Sequence, residues 1–327
     1  MSQEKNSIVF IVGPTAVGKS EVAALLAKKI NAEIISCDSM QIYKGMDIIT
    51  SKPFASLMKK VPHHLIGVIS PALRYDVSKY RKDALKKINE LVKQGKTPLF
   101  VGGTGLYMTI LLDGIFQAKA EDKVLRSRLY QLAKQRGGLY LYKQLAKVDP
   151  IAAKKIHPND TKRIIRAIEV YKITGKPISQ LQTQRKGLTD DYDIRIFCLH
   201  MEREALYKRI DARVERMFKQ GVVKEASKLL KLRLSKTAKF AIGLRELKGY
   251  FWGAYDLEEA KEMMKQNTRQ YAKRQLTWFR KDKRIQWIEV RGNEKSVTLA
   301  NRIFKLLKKG QSPLITGKLK TGTVPVI

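Results

Sequence analysis

The sequence predicts an α/β protein: a P-loop-type parallel sheet core, interrupted by a helical insertion domain and followed by basic C-terminal helices. Three observations predict it. The octapeptide Gly13-Pro14-Thr15-Ala16-Val17-Gly18-Lys19-Ser20 fits G-x-x-x-x-G-K-[ST] at every fixed position. Short apolar runs alternate with helical patterns from residue 7 to about residue 115, as parallel sheets require. Between Gly114 and Asp193 the strand signal stops and charged, helix-forming sequence takes over.

The elements follow in order. Ser7–Val12 reads as a buried strand and 21–30 as an amphipathic helix, the context this loop needs. Backbone N–H groups at a helix N-terminus carry partial positive charge, and Lys19 adds a full one. Ser20 places a hydroxyl where Mg²⁺ would sit, so the loop is suited to a di- or triphosphate, as in nucleotide- and ATP-binding proteins. A second strand over 32–37 ends at Asp38. A third over 97–101 ends in Gly102-Gly103-Thr104-Gly105, and a late one covers 194–199. Ligands of open α/β sheets gather at the carboxyl ends of strands, so the loop, Asp38 and Thr104 are expected to converge. Helices are expected over 122–135, 140–146 and 161–174 in the insertion, and over 203–232 and 257–281 after the late strand. The expected domains are therefore 1–114 with 193–310, and 115–192, followed by a disordered tail over 311–327 rich in Gly, Pro, Thr and Lys.

Charge narrows the function. Among 327 residues, 65 Lys+Arg face 30 Asp+Glu, a net charge of +35. That excess is the electrostatic footprint of a polyanion partner, and nucleic acid is the favoured one. Two cysteines, Cys37 and Cys198, exclude a disulfide framework and a four-cysteine zinc site. No apolar run reaches the length of a membrane span and no signal-peptide core precedes the first strand, so a cytoplasmic location is expected.

Several constellations could carry chemistry. At the end of the second strand, Asp38 could contact Mg²⁺ or an acceptor hydroxyl, act as general base, or simply cap the turn Ser39-Met40-Gln41. Ser39 and Gln41 offer hydrogen bonds suited to a base edge. The glycines around Thr104 allow either a tight turn or close backbone approach to a ligand. Their strand lacks the terminal Asp of a Walker-B strand, which counts against plain NTP hydrolysis. Arg209 and Arg213, four apart on one helix, could clamp a diphosphate or pair with nearby acids. His63-His64 has no partner at metal-ligand spacing. The segment from His157 starts a helix with Asn159 or Asp160 as cap, and Lys162, Arg163 and Arg166 behind it could reach phosphates. From Lys261 to Arg291 ten Lys/Arg face three acids, with Tyr271, Trp278, Phe279 and Trp287 interleaved, a pattern suited to RNA backbones and bases.

Together these residues resemble the tRNA dimethylallyltransferases, or tRNA isopentenyltransferases. The resemblance rests on GPTAVGKS at 13–20, DSMQIYKGMDIITSKP at 38–53, PHHLIG at 62–67, GGTGLY at 102–107, HPNDTKRIIRAIEVYKITGKPIS at 157–179, AIGLREL at 241–247 and TRQYAKRQLTWFR at 268–280. The sequence departs at Gly67, Ser70 and Leu244-Arg245, which bears on fine substrate contacts. Two cysteines cannot build the C-terminal zinc finger of many eukaryotic members, so the chain looks bacterial in type.

The resemblance implies transfer of a dimethylallyl group from dimethylallyl diphosphate to N6 of adenine 37, beside the anticodon. It implies that residues 13–20 with Arg213 bind the diphosphate, that Ser20 holds Mg²⁺, and that Asp38, Thr104 and Arg209 are catalytic. It implies tRNA contacts from Asp38, Ser39, Met40, Gln41, Thr104, Arg126, Asn159, Asp160, Thr161, Lys162, Arg163, Arg269 and Gln270. The partners are then the tRNA anticodon stem-loop and dimethylallyl diphosphate, with no membrane, and the chain is expected to act as a monomer. Three rivals are an adenylate isopentenyltransferase, a small-molecule kinase and a non-catalytic RNA-binding protein. The basic helices argue against the first, the missing Walker-B acid against the second, and the intact Lys19, Ser20 and Asp38 against the third.

Overall fold

The computed structural model describes residues 6–115, 122–183 and 185–309. The expected tail over 311–327 lies outside the described residues. The chain divides into two compact units, one of 1–108 with 192–327 and one of 109–191. The second begins six residues before the 115 expected from composition, inside a helix.

The first unit opens with β1 (Ser7–Val12), the phosphate loop, α1 (Lys19–Lys29) and β2 (Ala32–Ser36). It continues through α2 (Ala55–Lys60), β3 (His63–His64), α3 (Val77–Lys93), β4 (Thr97–Gly102) and the start of α4 (Gly105–Leu112). The second unit holds α5 (Lys123–Arg136), α6 (Gly138–Val148), α7 (Pro150–Lys155), α8 (Thr161–Thr174) and α9 (Ile178–Thr183). The first unit resumes with β5 (Asp193–His200), α10 (Arg203–Lys219), α11 (Val222–Leu230), α12 (Leu244–Phe251), α13 (Leu257–Phe279), β6 (Ile285–Glu289) and α14 (Ser296–Lys308).

The six strands form one parallel sheet in the order β3-β2-β4-β1-β5-β6. Apolar side chains fill both faces of the central strand: Ile8, Val9, Phe10, Ile11 and Val12 are all buried, as expected for a sheet covered by helices on both sides. Two strands carry no readable sequence signal. His63–His64 is two residues long, and Ile285–Glu289 is an edge strand with a mixed burial pattern. Pairing with β2 and β5, rather than local pattern, makes them strands.

The helix expected over 203–232 is a correction. Gly221 adopts φ 92°, which ends α10 and starts α11 in a new direction. Within the second unit, α5, α6 and α8 pack around Leu129, Leu141, Leu145, Ile164 and Ile168. Glu169 is fully buried there; its carboxylate accepts from Arg126 Nε and Nη2 at 3.1 and 2.7 Å and from Arg166 Nη1 at 2.8 Å. Replacing Glu169 with Ala leaves two guanidinium groups without their shared anion. The expected loss is about 3–5 kcal/mol of the second unit's stability, measured by urea unfolding of the whole chain.

The glycines after β4 have a structural reason. A Cβ at Gly102 would lie 2.0 Å from the Cys37 carbonyl oxygen. One at Gly103 would lie 2.0 Å from Gln275 Nε2, and one at Gly105 2.2 Å from the Trp278 ring. The close approach is therefore to the protein's own backbone and to α13. A Gly102→Ala variant is expected to lose about 3 kcal/mol in the same unfolding assay, at the upper end of overpacking costs, because backbone cannot step aside as a side chain can.

Candidate active site

Three turns meet at the carboxyl ends of the parallel strands: the phosphate loop after β1, Asp38–Gln41 after β2, and 102–105 after β4. The first two line a cleft of about 1650 Å³ within the first unit. Arg209 and Arg213 of α10 and Tyr271, Arg274 and Gln275 of α13 complete its wall.

The phosphate loop curls because Gly13, Ala16 and Gly18 take φ of 142°, 67° and 101°. Successive N–H groups in such a turn form an anion-binding concavity. A Cβ at Gly13 would lie 2.4 Å from the Leu199 carbonyl oxygen, so β5 holds the loop from behind. Lys19 Nζ spans the loop and donates to the carbonyls of Gly13 and Pro14 at 2.9 and 2.7 Å. Burial and then the neighbouring Arg213 charge push its pKa down to about 8, against opposing pulls from Asp38 and Cys198. Arg213 Nη1 donates to Thr15 Oγ1 at 3.1 Å, and burial lowers its pKa to about 10. Arg209 Nη1 would lie 3.9 Å from a Cβ at Gly18. Both arginines thus stand at the loop, one at Thr15 and one at Gly18.

Asp38 does two things at once. Its Oδ1 accepts from the N–H groups of Met40 and Gln41 at 2.9 and 3.3 Å, capping the turn. Its Oδ2 accepts no hydrogen bond among the described residues, while the side chain lines the cleft. Ser39 N–H donates to Thr104 Oγ1 at 3.0 Å, and that hydroxyl lies 3.4 Å from Ser39 Oγ. Thr104 therefore fastens the Asp38 turn to β4. The Gln41 amide is engaged inside its own loop. Its Nε2 donates to the carbonyls of Thr50 and Ser51 at 3.4 and 3.3 Å, and its Oε1 accepts from Ser36 Oγ at 3.3 Å.

Gln275 is the residue the sequence reading missed. It is 5% exposed; its Oε1 accepts the Thr15 N–H and its Nε2 donates to the Gly103 carbonyl, both at 2.9 Å. One amide thus ties the phosphate loop to the turn after β4. Only burial and distance mark it out, since a glutamine inside a basic helix looks solvated in sequence. Tyr271, one turn earlier, also lines the cleft; burial and then the Asp38 charge raise its phenol pKa well above the ordinary value, so it stays protonated. A Gln275→Ala variant is expected to lose about tenfold in affinity for diphosphate, read by calorimetry, because Thr15 N–H loses its partner and the loop loses its brace.

The remaining candidates are placed as follows. Arg269 Nη1 donates to both carboxylate oxygens of Asp211 at 2.7 and 2.8 Å, joining α13 to α10, and Gln270 beside it is exposed. In the second unit Asp160 caps α8 by accepting from Arg163 N–H at 3.1 Å. Asn159, Lys162 and Arg163 are exposed there, and Thr161 opens the helix. Arg126 is held by Glu169. Cys37 and Cys198 are buried and free, with pKa values that burial pushes up to about 12. His64 pairs with Glu33 at 2.6 Å rather than with a metal-ligand set. No group of three His, Cys, Asp or Glu that could hold a metal occurs among the described residues.

Known proteins resemble this chain over most of its length. A model of the IPP transferase family matches residues 41–282, and an isopentenyl transferase model matches 6–66. The chain belongs to the IPP transferase family. A tRNA dimethylallyltransferase of Geobacter sulfurreducens is 44% identical over 303 residues, covering 92% of this chain and 97% of the relative. One of Carboxydothermus hydrogenoformans is 46% identical over 284 residues, covering 86% and 91%. Among solved structures, a full-length tRNA isopentenylpyrophosphate transferase of Bacillus halodurans matches with TM-score 0.68 and 39% identity, covering 93% of this chain and 98% of that one. A eukaryotic dimethylallyltransferase acting on tRNA matches with TM-score 0.75 and 29% identity, covering 93% and 77%. The α/β fold is thus shared with tRNA isopentenyltransferases.

Proposed function

We infer that this chain is a tRNA dimethylallyltransferase, moving a dimethylallyl group from dimethylallyl diphosphate to N6 of adenine 37 and releasing diphosphate. The observation that carries this reading is the convergence of Lys19, Arg209, Arg213 and Asp38 on one cleft of about 1650 Å³. That volume accommodates a diphosphate ester and a nucleotide together.

The chemistry has two demands. As the allylic C–O bond breaks, negative charge grows on the leaving diphosphate. Lys19, the loop N–H groups and the two guanidinium groups are aimed at that charge. The exocyclic amine is a weak nucleophile because its lone pair is shared with the ring. Asp38 Oδ2 takes the proton as the new C–N bond forms, while Oδ1 stays fixed to the turn. Thr104 acts by holding that turn. The loop binds the diphosphate of the prenyl donor in place of a nucleotide's.

Mg²⁺ fits the donor set. Ser20 supplies a hard oxygen in the cleft, and Mg²⁺ in phosphate sites takes most of its ligands from phosphate and water. Held by Ser20 and the diphosphate, it would neutralise leaving-group charge.

Adenine 37 must leave its stack, at a cost of a few kcal/mol. The exposed cations at 162–163 and the helix bearing Arg269 and Gln270 are the proposed RNA contacts beyond the cleft. We place the reaction in the cytoplasm; no helix among the described residues is long and apolar enough to cross a membrane.

The test is incubation with Mg²⁺, labelled dimethylallyl diphosphate and, separately, unmodified anticodon stem-loop RNA or AMP. Label in the RNA alone is expected. Label in AMP alone moves the activity to free nucleotides, and label in neither removes the assignment. Binding of tRNA should also weaken steeply with salt, as released counterions require; a flat log–log plot of affinity against salt would make the +35 charge a solubility device.

A further inference from the structure

Outside the cleft, the face built by α11 and α12 is unlike the rest of the first unit. From Gly221 to Gly253 the sequence has eight Lys/Arg and two acids. Both carboxylates are turned to internal work. Glu225 accepts the N–H groups of Asp47, Ile48 and Ile49 at 3.0, 2.9 and 2.8 Å. Glu246 is buried and accepts from Gly243 N–H and Asn267 Nδ2, both at 2.6 Å, with Arg245 Nε 3.6 Å away. Lys224, Lys228, Lys231, Lys236 and Lys239 are exposed. Among these cations stand aromatic side chains in solvent: Trp252 is 73% exposed and Phe240 66%. Ser227, Leu230, Lys231, Lys248, Phe251 and Trp252 line a shallow groove of about 340 Å³, with Lys248 Nζ 3.9 Å from the Trp252 ring centroid.

An indole 73% exposed among cations leaves a flat face that something can cover by stacking. The local charge says what: a partner rich in anions that also presents flat, stackable faces. Eight cations against two internally engaged acids favour a partner with a repeating anionic backbone. RNA with an unpaired base offers both. The face is also continuous with the cleft. Phe240, Ala241 and Ile242 line the cleft, and α12 begins two residues later. Its eight residues rise about 12 Å before Trp252.

We propose that the α11–α12 face is a second RNA-binding surface, on which Trp252 stacks an unpaired base while Lys228, Lys231 and Lys248 hold the phosphates around it. This rests on the tRNA-modifying reading for the identity of the RNA. Bound RNA would then be gripped both at the cleft and at Trp252.

The test is equilibrium binding of fluorescently labelled unmodified tRNA to the full chain. Wild type is compared with Trp252→Ala and with the double variant Lys228→Glu/Lys231→Glu, with calorimetric affinity for dimethylallyl diphosphate as control. Trp252→Ala should weaken tRNA binding about tenfold, or 1.4 kcal/mol, as loss of one stacked base predicts. The charge variant should also flatten the salt dependence. Diphosphate affinity should not move in either. Trp252 and both lysines are exposed, so the variants should fold; circular dichroism confirms it. If both variants bind tRNA within about twofold of wild type, less than the stacking range allows, the proposal is overturned. That includes the case in which Trp252→Ala instead dissolves a dimer, seen by sedimentation. A wild type that binds tRNA through this face yet transfers no label would overturn the assigned reaction and leave the surface standing.

Discussion

Replacing Asp38 with alanine is expected to lower kcat by about 10²–10⁴-fold, the usual contribution of a general base. tRNA affinity should stay within about tenfold, or 1.4 kcal/mol. The side chain has two separable duties, so the pair Asp38→Ala and Asp38→Asn divides them. Asparagine keeps an oxygen able to cap Met40 and Gln41, and so keeps the turn that Thr104 also holds. It cannot accept the amine proton as a carboxylate does. Both variants should therefore lose turnover, while only Ala should loosen the turn and weaken tRNA binding. Single-turnover rates with saturating RNA report the first effect and filter binding the second. Near-normal turnover in Asp38→Asn would remove Asp38 as the base.

The second large effect belongs to Lys19. Lys19→Ala should cost about 10²–10³-fold in kcat, as loss of one preorganised donor to a developing anion does. Its pH dependence is more diagnostic. Burial and Arg213 hold the Lys19 pKa at about 8, below the ordinary 10.5. A bound diphosphate favours the charged form and raises that value. Affinity for dimethylallyl diphosphate should therefore be flat from pH 7 to about 8, then fall up to tenfold per pH unit above it, with proton uptake on binding. Lys19→Arg, charged throughout, should remove the bend near pH 8. The same shift carries a stability sign. A lysine whose folded pKa is depressed opposes folding while protonated, so this penalty is present below about 8 and is relieved as pH rises toward 10.5. Calorimetry in two buffers of different ionisation enthalpy measures the proton uptake; its absence at pH 9 would mean Lys19 does not meet the diphosphate.

Much of the site was legible because its parts are local. The phosphate loop is eight consecutive residues, and its backbone needs a lysine and glycines at fixed spacing whatever surrounds them. Asp38 and the turn at 102–105 could be placed at strand ends from the apolar runs before them, and a parallel sheet brings strand ends together. Arg209 and Arg213 shared a face by helical spacing alone, though nothing in that spacing put Arg213 on Thr15.

The illegible parts depend on what lies across space. The glycines at 102, 103 and 105 read in sequence either as a tight turn or as an approach to a ligand; the structure sets them against Cys37, Gln275 and Trp278. Arg126 and Arg269, tRNA contacts by the family resemblance, also have partners inside the protein: Arg126 meets Glu169 through Nε and Nη2, and Arg269 Nη1 meets both oxygens of Asp211. Gln41 looks like a base reader, but its amide closes on Ser36, Thr50 and Ser51. His63–His64 and Ile285–Glu289 are strands only because neighbours pair with them.

By itself the sequence determined the fold class, the phosphate-loop pattern, an acid at the end of the next strand and a net charge of +35, because periodicity, motif spacing and net charge are properties of the chain in order. Only the tertiary structure decided which polar groups are already satisfied and which still face the cleft. The sequence separation of 260 from Thr15 to Gln275 makes the reason plain. A hydrogen bond of 2.9 Å is a fact about distance in space, and no pattern along the chain carries it.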